Sequence, residues 1–268
     1  MLVIRLWWLS WFVCFSAAGW AQQSATQSTT PPPRDAQAVA VLNQAAAIAG
    51  GIAPISTVLD FTATGDITYY WAGQEVQGTV LLKGRGDSQL SLQATMPQGV
   101  RTVVISGGVG SINEVDGYVR KISNAINLAS LAFPASHLVT VLQDNTSSVA
   151  YIGLETANGR QVHHVRIQKF PSTDNSVNAA LINLGTRDLY VDATTLQITS
   201  TVDYARPEGQ LSLSLAHVVQ FSDYRTVNGV QVPFSITQFG SGQRTSSIQL
   251  NQITFNTGLT DGDFHVTN

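Results

Sequence analysis

Between Asp35 and Ala49 the apolar residues Ala38, Val41, Leu42, Ala45 and Ile48 recur at helical spacing, Asp35 stands where a cap belongs, and Gly50-Gly51 ends the pattern. One amphipathic helix is therefore expected at the start of the folded body. After Pro54 the period changes. Val58, Phe61, Ile67 and Tyr69 begin an alternation rich in β-branched and aromatic residues, which continues over Val76–Leu82, Gln89–Thr95 and Val100–Ile105. The connectors Ala72-Gly73-Gln74, Gly84-Arg85-Gly86-Asp87 and Pro97-Gln98-Gly99 are too short for crossover helices, so these read as four antiparallel strands in succession.

The alternation breaks between Gly107 and Asn145. Ile122, Ile126, Ala129 and Phe133 fall at i, i+4, i+7 and i+11, which predicts a helix over Val119–Phe133, a break at Pro134 and a second helix over Ser136–Leu142. Strands resume at Val149–Glu155 and Gln161–Phe170, joined by Asn158-Gly159, a type I′ hairpin signal. An irregular insert, Pro171–Gly185, precedes five more strands: Asp188–Val191, Gln197–Tyr204, Gln210–Phe221, Val230–Phe239 and Arg244–Phe255. The expected fold is mainly β, of the α+β class, with roughly eleven antiparallel strands in one domain over residues 35–268. A sheet this large curls, and an incompletely closed barrel offers an apolar concave face that helices can cap. Val119–Phe133 carries only Arg120 and Lys121 as charges, so its apolar side must be covered. Two readings stay open: ordinary core, or a lid over an apolar cavity lined by Ile122, Ile126, Ala129 and Phe133.

Ahead of the helix, Arg5, the apolar run Leu6–Phe15 and the small residues of Gly19-Trp20-Ala21 read as a secretory signal ending at Ala21. The apolar run is shorter than the ~20 residues that span a bilayer. Residues 22–34, rich in Gln, Ser and Thr and ending in Pro31-Pro32-Pro33, read as a disordered tether. An exported, periplasmic and soluble protein is expected. Only 12% of the 268 residues are charged and the net charge is −3 without basic runs, which argues against a nucleic-acid partner. The single cysteine, Cys14, lies in the signal, so the body carries no disulfide framework and no thiolate metal site.

No constellation of catalytic residues emerges. Gly-x-Ser-x-Gly is absent. Of His137, His163, His164, His217 and His265 none stands at i, i+4, and the adjacent pair His163 and His164 must point to opposite faces of a strand. Asp261-Gly262-Asp263 lacks the further oxygen ligands of a calcium loop, and Gly107-Gly108-Val109-Gly110 lacks the Lys-Ser/Thr of a phosphate loop and reads as a hairpin. Glu114 with Asp116, and Asp188 with Asp192, are neighbouring carboxylates with no sign that they face one another. The expectation is a binding protein, not an enzyme, with no cofactor and no metal.

Two sets of residues carry a family resemblance. The first is Gly78-Thr79-Val80-Leu81-Leu82-Lys83-Gly84-Arg85-Gly86, followed by Leu90–Met96, Pro97-Gln98-Gly99 and Val103-Val104-Ile105-Ser106-Gly107-Gly108. The second is Leu189-Tyr190-Val191-Asp192 with Thr194-Thr195-Leu196-Gln197, then Tyr224 with Gly229 and Pro233, and finally Asn256 with Asp263-Phe264. Together they resemble the bacterial LolA/LolB lipoprotein-carrier superfamily, which also includes RseB-like periplasmic sensors and many unassigned exported proteins. The resemblance implies a half-open antiparallel β-barrel around a helical lid, with lipid or lipoprotein acyl chains as partners. It also implies an inward arginine that holds the lid, for which Arg85 in the Lys-x-Arg run is the candidate; the other reading of Arg85 is a solvated turn residue. The alternative role is an envelope sensor or scaffold that contacts another protein. A monomer is expected.

Overall fold

The Asp35 carboxylate accepts the Ala38 N–H at 2.9 Å and starts helix α1 (Ala36–Ile48), which buries Ala38, Val41, Leu42 and Ala45 as read from the sequence, together with Ala46, whereas Ile48 in the last turn is exposed. The computed structural model describes residues 33–71, 73–122, 128–169, 185–205 and 215–267. The signal, the tether up to residue 32, Ile126 and the insert over residues 171–184 lie outside the described residues.

A short helix, α2 (Ile52–Ser56), leads into β1 (Asp60–Trp71), β2 (Gln74–Arg85), β3 (Gln89–Met96), β4 (Gly99–Ser106), β5 (Val109–Asn113) and β6 (Val119–Ile122). A 3-10 turn (Leu128–Leu131) and helix α3 (Pro134–Gln143) come next. The chain then forms β7 (Ser147–Ala157), β8 (Arg160–Lys169), β9 (Thr186–Asp192), β10 (Ile198–Ala205), β11 (Leu215–Val227), β12 (Val230–Gly240) and β13 (Gln243–Phe255). The thirteen strands of the described residues form one open antiparallel sheet, in the order β6-β5-β4-β3-β2-β1-β13-β12-β11-β10-β9-β8-β7. The mainly β, half-open architecture is thus as expected, with thirteen strands in place of eleven.

The two additional strands correct the reading of the Gly107–Phe133 stretch. Gly107-Gly108 turns β4 into β5, and Val119–Ile122, expected as helix, pairs with β5 through Asn113↔Val119 and Gly110↔Ile122. The free edge of β5 offers a β-branched segment a full ladder of hydrogen bonds, and the tight connection Glu114–Tyr118, closed by Glu114 N–H to the Tyr118 carbonyl at 2.9 Å, delivers it there. Elsewhere the turn chemistry reads as expected: Asn158-Gly159 and Asn228-Gly229 have positive φ at both positions (52° and 76°, 47° and 82°), the geometry of type I′ hairpins.

Alternation along each strand sends one set of side chains to a common face. Phe61, Ile67, Leu82, Leu90, Ile105, Val165, Leu189, Val219, Ile236 and Ile248 form one apolar cluster there with Leu42, Ala132, Phe133 and Leu138 from the helical segments. Gly84 sits in that face because Phe61 needs the room: a Cβ at Gly84 would lie 2.3 Å from the Phe61 ring. Phe61 in turn meets Phe133 edge-on at 6.2 Å, and Phe133 packs on Phe255 at 5.6 Å.

The opposite face of β2 to β5 is partly covered by the C-terminal segment. The buried Asp60 carboxylate takes the N–H groups of Thr257, Gly258 and Leu259 and so directs the chain back across the sheet. A 3-10 turn (Asp261–Phe264) then packs against β3 and β4 with Phe264 buried, and Lys83 Nζ holds Asp263 at 2.7 Å, pulling that carboxyl down to about 2.

Gly84→Ala is expected to cost about 1–3 kcal/mol through overpacking against Phe61, read as a lowered urea midpoint with an unchanged slope; Gly86→Ala, whose Cβ would meet nothing within 4 Å but whose φ is +59°, separates packing from backbone strain.

Candidate functional site: the concave face and its helical strap

β6 and β7 are consecutive in sequence but form opposite edges of the sheet, so the chain between them has to cross the concave face. That crossing segment is the helical insert. Its described part buries Ala129, Leu131, Ala132 and Phe133, then Leu138, Val139 and Val141 of α3, in the apolar cluster of the sheet. α3 begins with Pro134, whose missing N–H is harmless in a first turn, and leans on α1 and α2. Its far end is held by Arg34, which donates to the carbonyls of Val141 (2.9 Å), Asp144 (2.8 Å) and Ser147 (3.2 Å). Of the expected tether, therefore, Pro33 and Arg34 are anchored: Pro33 accepts the Val149 N–H, and Asp35 N–H donates to the Val149 carbonyl.

Polar groups tie the strap to the sheet inside this apolar setting. Arg187 on β9 is buried and makes a two-pronged ion pair with Asp203 on β10, at 2.8 and 2.9 Å. It also donates to the Ser130 hydroxyl in the 3-10 turn of the strap. On α3, His137 Nδ1 lies 3.6 Å from the Asp87 carboxylate in the β2–β3 turn, and its Nε2 is buried without a hydrogen-bond partner among the described residues. Burial, reinforced by the nearby Arg187 charge, lowers the His137 pKa; the His137 N–H edge that faces it holds the Asp87 carboxyl below its ordinary range.

The face beneath the strap is packed. A cleft between α1, the start of α3 and β10–β11, lined by Ala45, Ile48, Pro134, Ala135, Ile198 and Tyr224, holds a cavity of about 10 Å³, room for about one water. Tyr224 donates from there to the Ile198 carbonyl at 2.7 Å, and burial raises its pKa.

The residues singled out from the sequence separate into two places. Ala129 and Phe133 lie in the strap against the sheet, and Ile122 is half-buried at the edge of the same cluster. Ile126 lies outside the described residues. Arg85 is not with them. Leu82 and Gly84 face the concave side, so Lys83 and Arg85 face away, and Arg85 meets Gln89 (2.6 Å), Asp261 and the Phe264 ring of the C-terminal turn. The inward arginine that touches the strap is Arg187. Alternation held the signal for it, since Arg187 shares the parity of Leu189 and Val191, and Asp203 that of Thr201.

The remaining candidates are occupied structurally. Glu114 pairs with Arg101 and Arg120, and Asp116 accepts the Tyr118 N–H. Asp192 accepts the N–H groups of Thr194 and Thr195 in the β9–β10 turn. His163 points inward to the Tyr151 hydroxyl, at 2.9 Å. His164 points outward, with Nδ1 2.7 Å from Glu155 and Nε2 3.1 Å from Asp188, the second contact outside hydrogen-bond geometry. Asp188 is held by Arg166 and the Tyr204 hydroxyl. Among the described residues no group of three or more His, Cys, Asp or Glu side chains could hold a metal ion, and no helix is long and apolar enough to cross a membrane.

No protein-family model and no curated protein matches the sequence. Its fold does match solved structures. A candidate outer membrane lipoprotein-sorting protein domain from Vibrio parahaemolyticus superposes with a TM-score of 0.51 at 12% identity, over 85% of this chain and 96% of that one. A LolA superfamily protein from Nitrosomonas europaea gives 0.52 at 11% identity, over 85% and 97%. At these identities the likeness is one of fold: the chain has the LolA-superfamily fold, as its hairpin motifs suggested.

Two outcomes test the strap contacts. Arg187→Leu leaves Asp203 buried beside an apolar group and should cost about 3–5 kcal/mol, whereas adding Asp203→Leu should recover most of that loss, as read by chemical denaturation. For His137, the folded-state pKa lies below the unfolded value of about 6.5, so stability is complete above that pH and falls as pH drops through it. Hydrogen exchange over residues 134–143, corrected for intrinsic rate, should therefore quicken from pH 7.5 to 5.5, and His137→Gln should abolish the difference.

Proposed function

We propose that this protein is an exported, non-enzymatic carrier that takes a lipid acyl chain or a lipoprotein segment against the concave face when the helical strap moves off it. The observation that carries this reading is that the apolar concave face of the sheet is covered by a segment whose described part stands outside the strand ladder and meets the sheet through Arg187–Ser130 and Asp87–His137. Each buried methylene contributes about 0.8 kcal/mol, so half an acyl chain compensates for lost strap contacts without any charged recognition group. The LolA-superfamily fold, the signal read over residues 1–21 and the scarcity of charge support the same reading. In this conformation the site is closed, and binding is coupled to opening.

The test is native mass spectrometry of the full chain purified from membranes, alongside uptake of a fluorescent hexadecanoate. Retained acyl lipid is expected, with uptake several-fold faster in Ser130→Ala, which loosens the strap. Absence of bound lipid, together with no uptake in either protein, would overturn the proposal.

One observation favours the second reading, an envelope sensor or scaffold. Beyond Val149, edge strand β7 exposes Ile152 and Leu154, at 46% and 54%, beside backbone groups with no further strand to pair with among the described residues, the setting for strand addition by a protein partner.

A further inference from the structure

On the face of the sheet turned away from the strap, the β7–β8 hairpin tip runs past the end of β9, which stops at Asp192 opposite Val162. Between that tip and the outward side chains of β10, β11 and β12 lies a groove of about 300 Å³. Gln220 and Ser222 flank the inward Phe221 in sequence, and Thr237 pairs with Gln220 across β11–β12, so alternation turns all three outward. Asn158 enters from the hairpin turn and Thr199 from the start of β10.

The chemistry of this groove is unlike that of the concave face. Asn158, Gln220, Ser222 and Thr237 have no side-chain hydrogen-bond partner among the described residues, although amides and hydroxyls on a sheet of this density commonly pair across strands, as Gln161 does with Thr156 and Gln231 with Thr226. Arg160 reaches over the groove with most of its side chain exposed. Its nearest anion, Asp192, is 3.7 Å away and already accepts two backbone N–H groups. Val162, turned to this face on β8, is the apolar side chain of the lining, whereas Phe221 borders the groove with its backbone. The volume stands at the lower end of the ~300–1,000 Å³ typical of small-molecule sites, which suits a ring and not an extended acyl chain.

We infer that this groove is a carbohydrate site: planar amides and a guanidinium set among hydroxyls match the vicinal hydroxyls of a sugar ring. The amides each offer a donor and an acceptor, so they can engage adjacent hydroxyls in pairs. This site is separate from the concave face and does not depend on the carrier reading.

The experiment is NMR titration of the full chain with N-acetylglucosamine, glucose and glucuronate as probes. Saturable shifts at the side-chain amides of Asn158 and Gln220 are expected, with affinity for the best probe reduced tenfold or more in Gln220→Ala/Thr237→Val. Arg160→Gln should weaken glucuronate more than glucose. Hexadecanoate uptake should be unchanged in these variants, which keeps a failure here distinct from a failure of the carrier proposal. No saturable shift with any of the three sugars, or shifts that the double variant leaves intact, would overturn the inference.

Discussion

The arrangement of this molecule depends on one topological constraint: strands that follow one another in sequence, β6 and β7, stand at the two free edges of a thirteen-stranded sheet. A sheet that twists in the usual sense brings its edges round toward each other, and the chain joining them must cross the hollow between. Residues chosen for that crossing have to be apolar toward the sheet yet cannot enter its ladder, which is the composition of Ala129, Leu131, Ala132, Phe133 and α3. The aromatic contact of Phe133 with Phe61 and Phe255 then settles where the crossing rests, and Gly84 settles where Phe61 can stand.

Much of this was legible in the sequence, and the reasons are local. Strand parity, the Asn-Gly turns and the Asp35 cap act within a few residues, so they read directly. The Val119–Ile122 strand did not, because its apolar spacing suits a helix and only the unpaired edge of β5, a partner brought close by folding, decides against it. The inward arginine was sought in the Lys-x-Arg run at Arg85, where the motif is, yet strand parity turns that residue outward and gives the inward place to Arg187 on β9. The motif residues themselves mostly do structural work. Asn256 bridges Leu59 N–H and the Thr57 carbonyl, Asp192 closes the β9–β10 turn, and Asp263 caps the last 3-10 turn. Such residues mark a fold well and a ligand poorly.

The distribution of charge divides the molecule by face. On the concave side ionic groups are few and paired, Arg187 with Asp203 and Arg101 with Glu114, and each pair reaches a neutral hydroxyl as well, Ser130 or Tyr69. Buried pairs of this kind contribute less to stability than to holding one arrangement over its alternatives. On the outer side the polar network around His164 and Asp188 and the open groove beside Arg160 lie on the same stretch of sheet, so the two faces differ in chemistry.

Arg34 joins two parts of the chain that are far apart in sequence: it is among the first described residues, and its guanidinium closes the free carbonyl end of α3. The strap is thereby moored at that end by the segment that enters from the N-terminus. The placing of the residue that precedes α1 and the ordering of the last turn of α3 are therefore mechanically one property.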